Sequence, residues 1–209
     1  MTESKPFEDI SEIRNMMERA SRFISLSGLA GIFAGIFALI GTVIAHWYFN
    51  VYIVENNEAL IFSSLDLYDE IPLFVILLAS SVFILSFSSA LYFTTRNSKK
   101  KSLPLWDNTT KKLLINLFVP LLIGGVFILY LISTNYYDLV VPSTLIFYGL
   151  ALLNGSHFTY SDIKYLGYTE LATGLISMWL SNYHIIIWGI GFGFMHIAYG
   201  TIMYFKYER

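Results

Sequence analysis

The stretch FISLSGLAGIFAGIFALIGTVIAHWYF, residues 23–49, runs for 27 positions without an Asp, Glu, Lys or Arg. A helix needs about 20 apolar residues to cross a hydrocarbon core ~30 Å thick. This stretch is long enough to do so with some tilt. Five further apolar segments follow at 71–95, 113–134, 139–155, 165–181 and 185–205. The reading is an all-α, integral membrane bundle of six transmembrane helices. It forms one domain over 23–205, preceded by an arm (1–22) and followed by a tail (206–209). Segments 139–155 and 165–181 are at the short limit for a span, and the latter holds Glu170. Composition agrees with lipid as the solvent. Charged residues make up 13% of the 209, against about 25% in soluble domains, and mean hydropathy is +0.59. The length leaves no room for a separate soluble domain.

Charge gives an independent check. Six crossings put 1–22, 96–112, 156–164 and 206–209 on one side of the membrane. All 13 Lys and Arg fall in those loops. The opposite loop 50–70 carries Glu55, Glu58, Asp66, Asp69 and Glu70 and no base. Basic loops stay in the cytoplasm, so both termini are expected there. If 165–181 failed to cross, Lys206 and Arg209 would move outside and the pattern would break. Aromatic residues gather at the expected headgroup levels: Trp47 with Tyr48, Tyr136 with Tyr137, Trp179 with Tyr183, and Tyr204 with Tyr207. The N-terminal stretch is too acidic for a signal peptide, and the apolar run after it is too long.

Residues 9–22 have the spacing of a short amphipathic cytoplasmic helix, with Ile10, Ile13, Met17 and Ala20 on one face. Such a helix lies on the membrane or docks a soluble partner. The basic loop 96–112, RNSKKKSLPLWDNTTKK, is an orientation signal suited to anionic lipid, and its Asp107 can cap the third helix. Membrane lipid is thus the expected partner. A cytoplasmic protein held through 1–22 and 96–112 and a second copy of the chain are further candidates. A net charge of −2 gives no reason to expect nucleic acid.

Between helices in lipid, small residues set the contacts. The first span carries a Gly31–Gly35 GxxxG pair within a seam of Ser27, Ala34, Ala38, Gly41 and Ala45. It suits a central helix packed inside the chain, or a homodimer. The sixth span sets Gly189, Gly193, His196 and Gly200 on one helical face, and the fifth sets Gly167, Glu170, Gly174, Ser177 and Ser181 on another. A short loop makes these two helices antiparallel neighbours. Glu170 and His196 lie equally far from its centre at Tyr183, so they should be level in the membrane.

Glu170 and His196 are therefore the candidate binding residues, with Tyr148 and Tyr199 within reach of the same layer, and Ser88 and Ser89 as further polar neighbours. Intramembrane charge costs ~2.5–3.5 kcal/mol on insertion scales, so such groups face protein and find partners. The pair serves either as glue fixing helix register or as the lining of a cavity for a proton, ion or small polar ligand. His46, His157 and His184 are scattered in depth, so no metal site or cofactor is expected. Absence of cysteine removes thiolate chemistry. No motif specifies a catalytic residue. The Gly189, Gly191, Gly193 run sits in an apolar helix, where packing explains it better than phosphate binding.

The stretches MMERASRFISLSGLAGIFAGIFALIG, KLLINLFVPLLIGG, TLIFYGLALLNGS and WGIGFGFMHIAYGTIMYFKYER resemble a family of small six-span bacterial inner-membrane proteins with no established activity. The resemblance covers most of the chain. It implies a bacterial cytoplasmic (inner) membrane and brings no catalytic residues with it. The first functional expectation is a non-enzymatic sensing, scaffolding or regulatory membrane module. The second is a small transporter or channel using the Glu/His pair. A lipid-acting enzyme built on Asn154, His157 and Asp162 comes third.

Overall fold

The computed structural model describes residues 23–49 and 67–209, with backbone alone for 67–72. The arm 1–22 and most of the loop 50–70 lie outside the described residues. All regular structure among those described is helical. We label the helices α1 (Gly28–Trp47), α2 (Leu67–Lys100), α3 (Asn108–Ser133), α4 (Val140–Ser156) and α5 (Ile163–Ser177). The sixth, α6, has three parts: α-helical His184–Trp188, π-helical Gly189–Met195 and α-helical His196–Tyr207. Single 3-10 turns, Tyr137–Leu139 and Ser181–Tyr183, lead into α4 and α6.

Five of these helices are long and apolar enough to cross a membrane. α5, with 15 residues, is not. At 1.5 Å per residue it reaches only ~22 Å. It ends at Ser177 rather than at 181, because its last turn is closed off. The Ser177 hydroxyl donates to the Gly174 carbonyl at 2.7 Å, and His184 Nε2 donates to the Ser177 carbonyl at 3.0 Å. α5 nevertheless lies antiparallel to α4 along much of that helix, with Gly167 against Gly149 and Gly174 against Leu145 and Ile146.

α1 packs antiparallel on α2, α3 on α4 and α4 on α5. α1 meets α2 through Gly41 and Val82 and through stacked Phe33 and Phe93, and α3 meets α4 through Gly124 and Phe147. α1 also meets α6 along its length, so α2 and α3 form the flanks. The small-residue seam of α1 is filled by α6. A Cβ added at Gly35 would lie 2.6 Å from the Gly193 carbonyl oxygen and 2.9 Å from Ile197 N, and one added at Gly31 would lie 3.1 Å from Gly200 Cα. Only a residue without a side chain lets the backbones approach so closely. The outer faces carry large exposed apolar side chains, among them Val126 at 70% and Val43 at 68%. A soluble monomer does not present apolar surface on this scale. The chain is a multi-pass helical membrane protein.

α1 starts at Gly28, five residues later than the apolar run suggests. Residues 23–27 stay extended because other parts of the chain take up their backbone groups. Phe23 N–H donates to the Phe158 carbonyl (2.7 Å), and the Thr159 hydroxyl donates to the Phe23 carbonyl (2.7 Å). Tyr160 and Lys101 donate to the Ile24 carbonyl, and the Asn97 amide donates to the Ser25 and Leu26 carbonyls. The Glu208 carboxylate caps α1 by accepting from Ser27 Oγ and Gly28 N–H. This clasp gathers the start of α1, the end of α2, the α4–α5 loop and the C-terminus at one end of the bundle. Burial, followed by neighbouring Tyr207 and Glu208, pushes the Tyr160 hydroxyl up to about 12. α3 starts where its sequence suggests, with Asp107 accepting from Thr110 N–H and Oγ1–H at 2.7 Å each.

Two outcomes follow from this packing. Gly35→Leu should destabilise the protein by about 1–3 kcal/mol through overpacking. Gly125→Ala, where an added Cβ meets nothing within 4 Å, should be close to neutral in thermal unfolding in detergent. At the clasp, burial alone would raise the Asp162 carboxyl, but hydrogen bonds from Lys206 (2.6 Å) and Tyr207 (2.8 Å) outweigh it and hold it below the ordinary range. A depressed folded-state value gives stability above the ordinary carboxylate range that is lost as pH falls through the lowered value. Asp162→Asn should therefore weaken the acid-side fall in melting temperature.

Candidate functional site

α5 presents Gly167 and Gly174 on either side of Glu170. These two glycines meet α4. A Cβ at Gly149 would lie 2.8 Å from the Gly167 carbonyl oxygen, and one at Gly174 would lie 3.0 Å from Leu145 Cβ. The physical reason is that α4 offers its own glycine at the crossing, so the two backbones can touch. Glu170 then projects toward α6, with its side chain fully buried.

α6 receives it with an irregular turn. Over Gly189–Met195 the helix widens to π geometry, a local insertion often found at functional sites. The expectation of one face holding Gly189, Gly193, His196 and Gly200 fails here, because extra residues per turn redistribute the side chains. Gly189, Gly193 and Gly200 face α1, at Thr42, Leu39 and Gly28 respectively. Gly191 faces the other way. A Cβ there would lie 2.6 Å from Leu145 Cδ2 and 2.7 Å from Glu170 Oε2. The carboxyl group thus occupies the space a side chain at 191 would fill.

His196 opens the α-helical part that follows. Its Nδ1 lies 3.2 Å from the Gly191 carbonyl oxygen and its Nε2 lies 2.8 Å from the Tyr148 hydroxyl. A carbonyl only accepts, so Nδ1 carries the hydrogen. In the neutral ring Nε2 is then the acceptor, and Tyr148 O–H donates to it. The same Nδ1 lies 3.4 Å from Glu170 Oε1. That is close enough for an ion pair with a protonated ring, but the N–H points at Gly191. Both Glu170 oxygens are therefore left without a hydrogen-bond donor. An ionised carboxylate in that position is costly unless a proton, a donor or a cation completes it. Phe192 packs against both rings, 5.0 Å from Tyr148 and 6.0 Å from His196 between centroids.

The structure joins Glu170, His196 and Tyr148. None of the hydrogen bonds that join them involves Tyr199. Tyr199, like Tyr148, packs on the buried cluster of Leu152, Tyr160, Ile163, Leu166 and Met203. Ser88 is exposed and Ser89 bonds its own helix at the Ser86 carbonyl. Both sit on a helix that packs mainly on α1. Asp162 is taken up by Lys206 and Tyr207, while Asn154 and His157 are exposed. No cluster of three or more His, Asp or Glu suited to a metal occurs among the described residues. The residue that sequence reasoning missed is Gly191, which supplies both a carbonyl and the space for the carboxyl. Its signal was present. Glycines at 189, 191 and 193 cannot all serve one face of a regular α-helix.

If the cluster is one unit, its members are coupled. Tyr148→Phe and His196→Ala should each destabilise the protein by about 1–3 kcal/mol. The double variant should fall short of their sum by ~0.5–3 kcal/mol in thermal unfolding. Strict additivity would contradict the network.

No protein-family model, no curated protein and no solved structure matches this chain, so its functional reading rests on this geometry alone.

Proposed function

We propose that this protein is a non-enzymatic, six-span protein of the bacterial cytoplasmic membrane, with both termini cytoplasmic, that handles a proton or small monovalent cation at Glu170. α5 serves as the sixth crossing because it lies alongside α4, itself long enough to span. The clasp supports the orientation. It gathers Lys101 and Lys206 at one end of the bundle, and basic ends face the cytoplasm.

One observation carries the choice of activity. Glu170 is 0% exposed and neither of its oxygens receives a hydrogen bond. A carboxyl kept purely as structural glue would be fully bonded. A carboxyl that binds and releases a charge must lack a permanent partner. The functional class that follows is a small transporter or channel. A regulatory module is the second reading. It is favoured by the exposed Lys99, Lys100, Lys111, Lys112 and Trp106 at the clasp end, which suit an anionic membrane surface or an acidic partner.

Reconstitution into liposomes holding a pH-sensitive dye tests the first reading. An external acid step should acidify the lumen faster than in protein-free liposomes, and Glu170→Gln should remove the difference. Equal rates for the wild type and Glu170→Gln would overturn it.

A further inference from the structure

Resting on the reading of Glu170 as a site for a small charge, we infer that its occupant is a proton, delivered along a relay from Tyr148 through His196 to Glu170. The donor set argues against a divalent metal ion, and it is sparse for any cation that needs a shell of oxygen ligands. Ca²⁺ takes ~6–8 oxygen ligands, and Mg²⁺ demands near-ideal octahedral geometry and usually keeps several waters. The described neighbours supply the two Glu170 oxygens and the Gly191 carbonyl. The carboxyl sits against Gly191, in the space a Cβ there would fill. A proton needs no coordination shell.

Geometry sets the order of the relay. Tyr148 is half-buried and packs toward the Tyr160 cluster at the clasp end. His196 is 6% exposed and Glu170 0%. Burial therefore deepens along the series, and the tyrosine is the least enclosed of the three groups. The imidazole is placed between the other two, with Nε2 2.8 Å from the Tyr148 oxygen and Nδ1 3.4 Å from Glu170 Oε1. Among the described residues, no other titratable group is hydrogen-bonded or ion-paired to these three. α4 contributes only Tyr148 and α6 only His196. α1 brings Gly35 and Leu39 to this level of α6. Asp162, Lys206 and Tyr207 are bonded to one another at the clasp.

The transfer balances. A hydronium ion reaching Tyr148 gives a proton to its oxygen as the Tyr148 O–H bond breaks and an Nε2–H bond forms. The resulting imidazolium swings its Nδ1–H from the Gly191 carbonyl to Glu170 Oε1, 3.4 Å away, where the N–H bond breaks and an O–H bond forms. Water, neutral tyrosine, neutral imidazole and a neutral carboxylic acid remain. The new Glu170 O–H now donates to the Nδ1 lone pair, so the arriving proton supplies the bond the ionised carboxyl lacks. The imidazole is left with hydrogen on Nε2, where it donates to Tyr148. Running the steps backward releases the proton.

Infrared difference spectroscopy of the full chain in phosphatidylglycerol/phosphatidylethanolamine nanodiscs, recorded after an acid jump, tests the relay. The wild type should gain a carboxylic acid C=O band that is absent in Glu170→Gln. In Tyr148→Phe the same band should appear about 10²-fold more slowly, the lower end of what a positioned proton donor contributes. His196→Gln keeps a polar side chain but cannot pass a proton between two ring nitrogens, so it should slow the band likewise. Wild-type kinetics in both variants, with melting showing them folded, would overturn the relay and leave the Glu170 site standing. A wild-type spectrum with no band removed by Glu170→Gln would overturn the site itself.

Discussion

In a lipid environment two helices gain little by hiding apolar side chains from each other, since the surrounding tails are equally apolar. What holds this bundle together is backbone against backbone at glycine. Gly35 against Gly193 seats α1 on α6, and Gly149 against Gly167 seats α4 on α5. Everything else depends on those two crossings. They fix the spacing of α4, α5 and α6 closely enough that a carboxyl, an imidazole and a phenol from three helices share one layer. They also leave a gap at Gly191 into which the Glu170 carboxyl fits.

The two ends of the bundle solve different problems. At the clasp, polar groups are abundant and find partners: the extended 23–27 strand is bonded by Asn97, Lys101, Thr159, Tyr160 and Glu208. In the apolar interior polar groups are few. His196 has its two bonds, and Glu170 has none. Buried polar groups are almost always satisfied. Among the described residues, the two Glu170 oxygens are the buried side-chain polar atoms left without a hydrogen bond.

Much of this was legible in the sequence. The apolar runs announce the helices, and equal distance from Tyr183 puts Glu170 level with His196. Tyr148 was within the predicted layer. Other features were hidden for physical reasons. The start of α1 depends on hydrogen bonds from residues 70 or more positions away, which no local pattern records. Tyr199 was assigned to the same layer by height alone, and height does not say which hydroxyl bonds His196; that one is Tyr148. The π turn broke the arithmetic of helical faces. Counting in steps of 3.6 puts His196 and Gly193 on one stripe, whereas the wider turn gives Gly193 to α1 and Gly191 to Glu170.

The account stands on the closeness of one carboxyl to one ring nitrogen. Solid-state NMR on the full chain in lipid, with ¹³C at the Glu170 carboxyl and ¹⁵N at His196 Nδ1, measures that separation directly. The structure places Nδ1 3.4 Å from Oε1, so strong dipolar coupling is expected between the labelled carbon and nitrogen. A coupling too weak for the two groups ever to come within hydrogen-bond reach would contradict it.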